Sequence, residues 1–288
     1  MMWFILTILS IFALATAELM QQHLLNAKNA FDERASAVLT FLVQSLITVP
    51  FLFLFGVADQ VFSVFDPTVF PRVLLVSLIS SVAMIFYLKS FKVKNISISA
   101  IFVSFSAIVS TFLGIIFFAE STSVVKFFGI FLILMAIIMA NYKNVILEKN
   151  HWYGLVAGCI FGICYTFDKS IILDIHPLVY IFWTFSMIAV WGFLLGTKRV
   201  VRSLKDKKLN AYKPIFISGV GYFLYNFFTF TAYRLGGEVG RIDAINNSQI
   251  FLIILFEFFI LKHTQGTMRK ILSAGLAVAG VLMLGFAR

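Results

Sequence analysis

The sequence predicts an all-α, polytopic membrane protein in which ten transmembrane helices form two inverted repeats of five. Its composition, the spacing of its apolar segments and an internal repeat support this fold class. Hydrophobic residues make up 61% of the chain and charged residues only 12%, whereas soluble domains contain about 45–50% and about 25% respectively. A soluble enzyme, a disulfide-stabilised secreted domain and a disordered regulator are therefore excluded.

The apolar segments have the length of membrane helices, since the bilayer core of about 30 Å needs about 20 residues per crossing. Such runs, bounded by charged residues, Pro or Gly, occur at residues 2–24, 34–56, 70–90, 96–118, 124–142, 152–173, 177–197, 214–234, 243–262 and 269–287. The connections are short except 57–69 and 198–213. We therefore expect no soluble domain.

The first segment also resembles a secretory signal peptide, because its apolar stretch is followed by Ala15, Thr16 and Ala17. No basic residue precedes Trp3, and the apolar pattern continues to Leu24. We therefore expect this segment to remain in the protein as a membrane helix.

Two later segments carry small or polar side chains. The fourth contains Ser97, Ser99, Ser104, Ser106, Ser110 and Thr111, which close helix contact or a hydrophilic wall would explain. In the sixth, Gly154, Gly158 and Gly162 predict the close approach of a neighbouring helix. Cys159 and Cys164 match neither a disulfide framework nor a metal-ligand spacing, and we interpret them as packing residues.

The distribution of basic residues predicts the orientation. The net charge of +10 comes from 23 Lys and Arg against 13 Asp and Glu, and such an excess normally lies in cytoplasmic loops. We therefore expect no nucleic-acid partner. Seventeen basic residues fall in the odd-numbered connections and six in the even-numbered ones or at the C-terminus. The protein is thus predicted to lie in the cell membrane, which is the inner or plasma membrane. Both termini are predicted to face outward, and residues 198–213 to lie in the cytoplasm.

An internal repeat divides the chain. At offsets of 146 to 150 residues, similar positions coincide in pairs, namely Tyr87 with Tyr233, Gly129 with Gly275 and Glu18 with Asp168. We therefore predict two halves, residues 1–146 and 147–288. Because each half has an odd number of helices, five, the second copy is inverted in the membrane relative to the first. Transporters that work by alternating access use this arrangement.

The end of the first half carries the most specific motif. Residues 114–122 read Gly-Ile-Ile-Phe-Phe-Ala-Glu-Ser-Thr, and a run opened by Lys126, Phe127, Phe128 and Gly129 follows. The second half has a weaker copy at 259–264 and 275–280, without the acidic residue. With the five-plus-five repeat, this resembles the EamA-like branch of the drug/metabolite transporter superfamily.

The resemblance implies a ten-helix carrier of amino acids, nucleotide sugars, amines or other metabolites. Well-studied members are described with both termini in the cytoplasm, opposite to the orientation that the charge distribution predicts. We expect Glu120 to cap or tether the turn before the fifth helix rather than to contact substrate.

Acidic residues inside apolar segments are candidates for function, because a charge at the bilayer centre costs about 2.5–3.5 kcal/mol. Glu18 shares a helix face with Gln21 and Gln22, and Asp168 lies one turn after Tyr165. Because the repeats are inverted, the two carboxylates should lie toward opposite membrane faces. Either could bind a cationic group or take up a proton.

Each of these carboxyls also has a structural interpretation. Glu18 could be a protonated carboxyl bonded to Gln44 or to a serine of a neighbouring helix. Asp168 directly precedes Lys169 and lies near a helix end at the membrane interface, which favours a structural role.

Glu257 is a third acid within an apolar segment. Asn246, Asn247 and Gln249 lie one to three turns earlier and would give the ninth helix a polar stripe. Glu257 either lines the transport pathway or contacts a polar group on another helix.

Aromatic side chains could line a pocket for an amine, through cation–π contacts, or for a flat ring, through stacking. The candidates are Tyr180, Trp183, Tyr222, Tyr225, Phe227 and Phe228, with Asn226. Because the chain contains 35 Phe, helix packing and lipid contact are the alternatives for each ring.

We predict a secondary active transporter that moves a small organic metabolite by alternating access, favouring an amine, amino acid or related cation, with proton coupling or exchange. A nucleobase, nucleoside or sugar conjugate is the alternative substrate. A membrane-embedded enzyme and a non-transporting membrane subunit are the alternatives from other classes. No nucleotide-binding loop or catalytic cluster occurs, so we expect no enzymatic activity, cofactor or metal site. The expected partners are the substrate, the lipid bilayer and a coupling proton, and the working unit is a monomer or homodimer.

Overall fold

The computed structural model describes residues 1–25, 31–90, 102–141, 150–205, 207, 209–253 and 267–286. Across these residues all regular secondary structure is helical, which confirms the predicted fold class. The α-helices are α1 (Met2–Leu25), α2 (Glu33–Leu54), α3 (Phe70–Ser90), α4 (Ser106–Phe118), α5 (Val124–Asn141), α6 (His151–Ile172), α7 (Pro177–Leu194), α8 (Thr197–Leu204), α9 (Lys213–Arg234), α10 (Val239–Asn247) and α11 (Thr267–Phe286).

Membrane-spanning length is reached by six of the described helical segments, which are Met2–Leu25, Glu33–Leu54, Phe70–Ser90, His151–Ile172, Pro177–Leu194 and Leu209–Arg234. Three apolar helices are shorter, namely Ser106–Phe118, Val124–Met139 and Leu272–Phe286. Parts of the predicted fourth and ninth spans, residues 96–101 and 254–262, lie outside the described residues. The chain is thus a multi-pass membrane protein.

The two long connections contain short helical segments. A 3₁₀ segment, Ala58–Phe65, occupies most of 57–69, and α8 with a second 3₁₀ segment, Leu209–Tyr212, occupies most of 198–213. The backbone N–H of Asp32 donates to Ser203 Oγ at 2.8 Å, which ties α8 to the start of α2.

The ninth span begins earlier than predicted. We expected it to start at residue 243, because Arg241 and Asp243 read as a charged boundary. Instead α10 begins at Val239, and both charged side chains lie within it and are buried. The charges belong to the helix because each has partners inside the protein, as described below.

The packing of the helices follows an approximate two-fold symmetry. Helix α1 packs along α9, and α3 packs along α6; α4 contacts α6, and α10 contacts α1. In the predicted repeat, the first five spans (α1–α5) correspond in order to α6, α7, α9, α10 and α11. With this correspondence, exchanging the two halves turns the α1–α9 contact into the α3–α6 contact, and the α4–α6 contact into the α1–α10 contact. The α2–α7, α4–α10 and α5–α11 contacts map onto themselves. This arrangement is typical of transporters built from inverted repeats.

Glycines let α6 approach α4 closely. A Cβ atom at Gly158 would lie 2.5 Å from the carbonyl oxygen of Val103, and one at Gly162 would lie 2.6 Å from the Cβ of Val109. Real Cβ atoms do not come this close to other atoms, so only glycine fits at both positions. The small-residue face predicted for the sixth segment is therefore a helix contact.

Candidate functional site

A cavity of about 100 Å³ lies between the helices of both halves. Side chains from α1, α2, α3, α4, α6, α7, α9 and α10 line it. The volume is several times the roughly 10–15 Å³ that a single water requires. The space therefore accommodates water or a small solute and is more than a packing defect.

Three carboxylates line this cavity: Glu18 on α1, Asp168 on α6 and Asp243 on α10. Their residues are 8%, 7% and 3% exposed. No Lys, Arg or His belongs to the part of the cavity wall that the structure describes. The wall thus concentrates acidic groups without a basic side chain to balance them.

Glu18 accepts a hydrogen bond from the Tyr87 hydroxyl of α3, and Gln249 lies within hydrogen-bonding reach of the same carboxylate. Gln21 turns away from the cavity, because it donates to Thr40 Oγ1 at 2.6 Å and accepts from a serine of α2 at 2.8 Å. The side chain of Gln22 lies outside the described residues. The polar patch predicted on α1 is thus divided between the cavity and the contact with α2.

Asp168 accepts a hydrogen bond from Tyr180, whose side chain is fully buried behind it. The neighbouring Lys169 pairs with Glu120 at 3.0 Å. Tyr165, one turn before Asp168, lines the cavity and is hydrogen-bonded to Tyr225 of α9.

The two predicted carboxylates approach the cavity from different ends of the bundle. Glu18 lies seven residues before the end of α1 at Leu25, and Asp168 lies four residues before the end of α6 at Ile172. Four spans, α2 to α5, lie between these two helices, which therefore run in opposite directions. Both carboxylates nevertheless border one cavity.

Asp243 is the site residue that the sequence analysis missed. It accepts hydrogen bonds from Ser106 at 3.1 Å and Ser110 at 2.8 Å, both on α4, and from Asn247 Nδ2 at 3.1 Å on its own helix. Gly240 makes the contact close, because a Cβ there would lie 2.2 Å from Thr111 Oγ1. The serine-rich fourth segment therefore provides both a close helix contact and donors for a buried carboxylate.

The cavity wall includes the amide side chains predicted as a polar stripe, Asn246, Asn247 and Gln249, and also Asn226 and Gln44. Asn226 Nδ2 donates to Gln44 Oε1 at 3.0 Å, and Asn246 Oδ1 accepts from Ser10 at 2.6 Å. These bonds connect α9 to α2 and α10 to α1. Amides from both halves are thus fixed in position around the cavity.

The aromatic candidates separate into two groups. Tyr222 and Tyr225 line the cavity, and the buried Tyr222 hydroxyl has no hydrogen-bond partner among the described residues. Trp183 lies away from it, because its indole N–H donates to Val61 O at 2.8 Å and its ring packs edge-on against Phe65. Phe227 and Phe228 are not among the residues that line the cavity, and Glu257 lies outside the described part of the chain.

Helix breaks border the cavity in corresponding spans of the two halves. A turn at residues 104–105 precedes α4, and a turn at Ser248 separates α10 from a helical stretch at 249–253. The wall includes Val103 and Ser106 at the first break, and Asn247 and Gln249 at the second. Interrupted helices at matching positions of a repeat are a common location of transporter binding sites.

A second polar centre lies at the end of the bundle where α4 meets α5. Ala119 has a left-handed backbone (φ +49°), and the chain folds back so that Glu120 lies against Gly114, where a Cβ would be 2.5 Å from Glu120 Oε2. The Glu120 carboxylate accepts from Lys126 at 3.2 Å and from Lys169 at 3.0 Å, as well as from the backbone N–H of Val239 at 2.6 Å. The predicted tethering role of Glu120 is therefore what the contacts show.

Glu238 extends this charged network. Its carboxylate lies 2.7 Å from Lys126 Nζ and 3.1 Å from Arg241 Nε, and Arg241 Nη2 donates to Ser121 Oγ at 2.9 Å. Burial disfavours the charged form of Glu238 and on its own would raise its pKa. The hydrogen bond and charge of Lys126 outweigh burial, together with a hydrogen bond from Ser121 and the charge of Arg241. The pKa of Glu238 therefore lies below its ordinary value. We call the set Glu120, Lys126, Lys169, Glu238 and Arg241 the buried charge network.

The described residues contain no group of three His, Cys, Asp or Glu side chains placed to hold a metal ion. Although the three cavity carboxylates share one wall, they are therefore not arranged as the ligands of a single cation. What the cavity offers is a set of separated carboxylates, amides and tyrosine hydroxyls.

Comparison with known proteins places the chain in a family. No curated protein sequence matches it. A crystal structure of another protein superimposes with a TM-score of 0.75 at 12% sequence identity, over 98% of this chain and 95% of that one, which shows a shared fold. The model of the EamA-like transporter family matches residues 1–142 and 149–286. With this match over both parts of the sequence, the chain belongs to the EamA-like transporter family and is a membrane transporter rather than an enzyme.

Proposed function

We propose that the protein transports a small organic cation, such as an amine or an amino acid, by alternating access of the central cavity. The observation that carries this proposal is the cavity wall, with Glu18, Asp168 and Asp243 and no basic side chain among its described residues. Buried charges are stable only when they are paired or neutralised. A cationic solute and protons are the species that supply this compensation from outside the protein.

Glu18 is the proposed ligand of the cationic group. Its carboxylate is positioned by the Tyr87 hydroxyl, and the ring of Tyr87 packs edge-on against Phe161 at 5.5 Å. Phe161 in turn stacks on Tyr165 at 5.9 Å. An ammonium beside Glu18 would therefore meet aromatic rings as well as a carboxylate, a combination that favours organic cations.

Asp168 is the proposed proton carrier. It lies closer to the end of the bundle that contains the buried charge network, and its neighbour Lys169 belongs to that network. Protonation of Asp168 would remove a charge from the same helix, α6, that contributes Lys169 to this network. This position suits a group that couples proton uptake to opening of that end of the bundle.

The proposed conformational cycle exchanges access between the two ends of the bundle. The buried charge network joins the α4–α5 turn to α6 and α10 and closes one end. The inverted halves, proposed as residues 1–146 and 147–288, would alternate by separating at this end and closing at the other. In this scheme the interrupted spans at residues 104–105 and Ser248 supply the bending points.

We also propose that both termini face outward. Of the six basic residues assigned to the outer side, four form ion pairs, as Arg72 does with Asp174, Lys126 and Lys169 with Glu120, and Arg241 with Glu238. Paired charges add little net positive charge to that side. The contrast with the basic 198–213 loop is therefore stronger than the residue count alone indicates.

A second candidate substrate is a nucleobase, nucleoside or sugar conjugate. The five amide side chains on the cavity wall favour it, because amides both donate and accept hydrogen bonds to ring atoms and hydroxyls. In this case recognition would depend on Asn226, Asn246 and Gln249 rather than on the carboxylates.

Ligand binding to the purified full-length protein distinguishes these candidates. Amines and amino acids should raise the unfolding temperature of the wild type, since a ligand at about 100 times its dissociation constant adds about 2.7 kcal/mol to the folded state. We expect Glu18→Gln to weaken amine binding at least tenfold, about 1.4 kcal/mol. Uptake into proteoliposomes with an imposed pH gradient should fall in parallel.

Asp59→Asn serves as the control, because Asp59 is an exposed carboxyl in the 57–69 connection. It should bind amines as the wild type does. Amine binding that is unchanged in Glu18→Gln would contradict the carboxylate site. Stabilisation by nucleobases or sugars alone would favour the second candidate instead.

A further inference from the structure

We infer that Asp243 is a second cation-binding position in the cavity, and that the preferred substrate therefore carries two positive groups, as an alkyl diamine does. This inference rests on the proposed function and narrows its substrate class. It assigns Asp243 a role distinct from that of Glu18, which holds the first cationic group.

The two carboxylates are held by different parts of the scaffold. Glu18 on α1 is fixed by Tyr87 of α3, whereas Asp243 on α10 is fixed by Ser106 and Ser110 of α4. Each is thus an independently positioned acceptor on the same cavity wall.

The separation of the carboxylates argues against a single shared cation. The described residues hold no group of three acidic, His or Cys side chains that could surround one metal ion. All three carboxylates nevertheless line the same cavity. Because Glu18 and Asp243 each have their own supporting helix, we infer that each receives its own cationic group.

Tyr222 provides an independent indication of a ligand. Its residue is 7% exposed, its side chain lines the cavity, and its hydroxyl has no hydrogen-bond partner among the described residues. It also interacts electrostatically with Glu18. A primary ammonium has three N–H donors, so one placed at Glu18 could also donate to Tyr222 Oη. A buried hydroxyl without a partner is costly, and this contact would remove the cost.

The charge balance points to the same substrate class. One ammonium compensates one of the three carboxylates and leaves two that must be neutralised by protons. A dication compensates Glu18 and Asp243 and leaves Asp168 for the coupling proton. Because an uncompensated buried charge is strongly unfavourable, the dication is the substrate that the complete set of carboxylates favours.

The test compares two amines of equal chain length, 1,4-diaminobutane and n-butylamine, by calorimetric binding to the detergent-purified full-length protein. We expect the wild type to bind the diamine at least tenfold more tightly than the monoamine. In Asp243→Asn this ratio should fall to about one to two, because the second ammonium loses its carboxylate. Asp59→Asn, which changes an exposed carboxyl, should keep the wild-type ratio.

A length series provides a readout that needs no variant. Diamines from 1,3-diaminopropane to 1,8-diaminooctane should show an affinity optimum at one length in the wild type, set by the distance between the two carboxylates. Equal binding of mono- and diamine, with both lost in Glu18→Gln, would overturn this inference and leave the proposed function intact. An unchanged ratio in folded Asp243→Asn would also overturn it. If neither amine binds the wild type, this inference fails, and if no amino acid stabilises the wild type either, the proposed function fails with it.

Discussion

Replacing Glu120 with alanine is expected to lower the free energy of unfolding by about 3–5 kcal/mol, the range observed when one partner is removed from a buried ion pair. The variant would leave Lys126 and Lys169 without this carboxylate and the N–H of Val239 without its acceptor. Lys126 is fully buried and cannot reach solvent instead. Chemical or thermal unfolding of the purified protein measures the loss.

The exposed ion pair between Arg72 and Asp174 is the matched control. Its atoms are only 2.5 Å apart, but the two side chains are 29% and 47% exposed. Because solvent screens such pairs, Asp174→Ala should cost no more than about 1 kcal/mol. Equal losses in the two variants would show that burial does not govern the strength of these pairs, contrary to our interpretation of the network.

A valine at Gly158 is expected to destabilise the protein by about 3 kcal/mol, the upper part of the usual range for overpacking. The new Cβ would lie 2.5 Å from the carbonyl oxygen of Val103 and 2.9 Å from that of Phe102. Backbone atoms cannot rotate away as the end of a side chain can, so α6 and the start of the fourth span must separate. Because Val103 also lines the cavity, the same variant should weaken ligand binding.

Gly275→Val in α11 is the control for the glycine substitution. A Cβ at Gly275 has no atom within 4 Å, so the added methyl groups meet open space. We expect a change in the free energy of unfolding close to zero. If both valine variants were equally unstable, helix propensity rather than the α4–α6 contact would explain the result at Gly158.

The sequence was sufficient for the fold because lipid imposes simple rules on it. Apolar runs of membrane length located the helices, and the cost of burying a charge identified Glu18 and Asp168 as unusual. Both line the cavity. Predictions of this kind depend only on each residue and its own helix, and such local information is present in a single sequence.

The predictions that differ from the structure concern direction and distant partners. Gln21 follows Glu18 by three positions, which is a rotation of about 60° around a helix at 3.6 residues per turn. That angle is enough to direct one side chain into the cavity and the other toward α2. Periodicity alone does not show where one neighbouring helix ends and the next begins.

Asp243 was missed because a charged residue near the end of an apolar run can mark a helix boundary or lie buried within the helix. Next to Arg241 it suggested a helix boundary, whereas in the fold Arg241 pairs with Glu238 and Asp243 pairs with serines of α4. These serines are more than 130 positions away in the chain. Only the tertiary structure brings the acid and its donors together.

The pairing of helices across the repeat has a consequence for how such a protein can arise and fold. Helix α1 covers its apolar face with α9, and α3 covers its own with α6, so each half depends on the other for its largest buried surfaces. A five-helix chain alone would have to find a second copy in the opposite orientation. An ancestor of this kind would be an antiparallel homodimer, and gene fusion would turn its subunit interface into the interior of one chain. We therefore expect either half on its own to expose the surfaces that it buries against the other half.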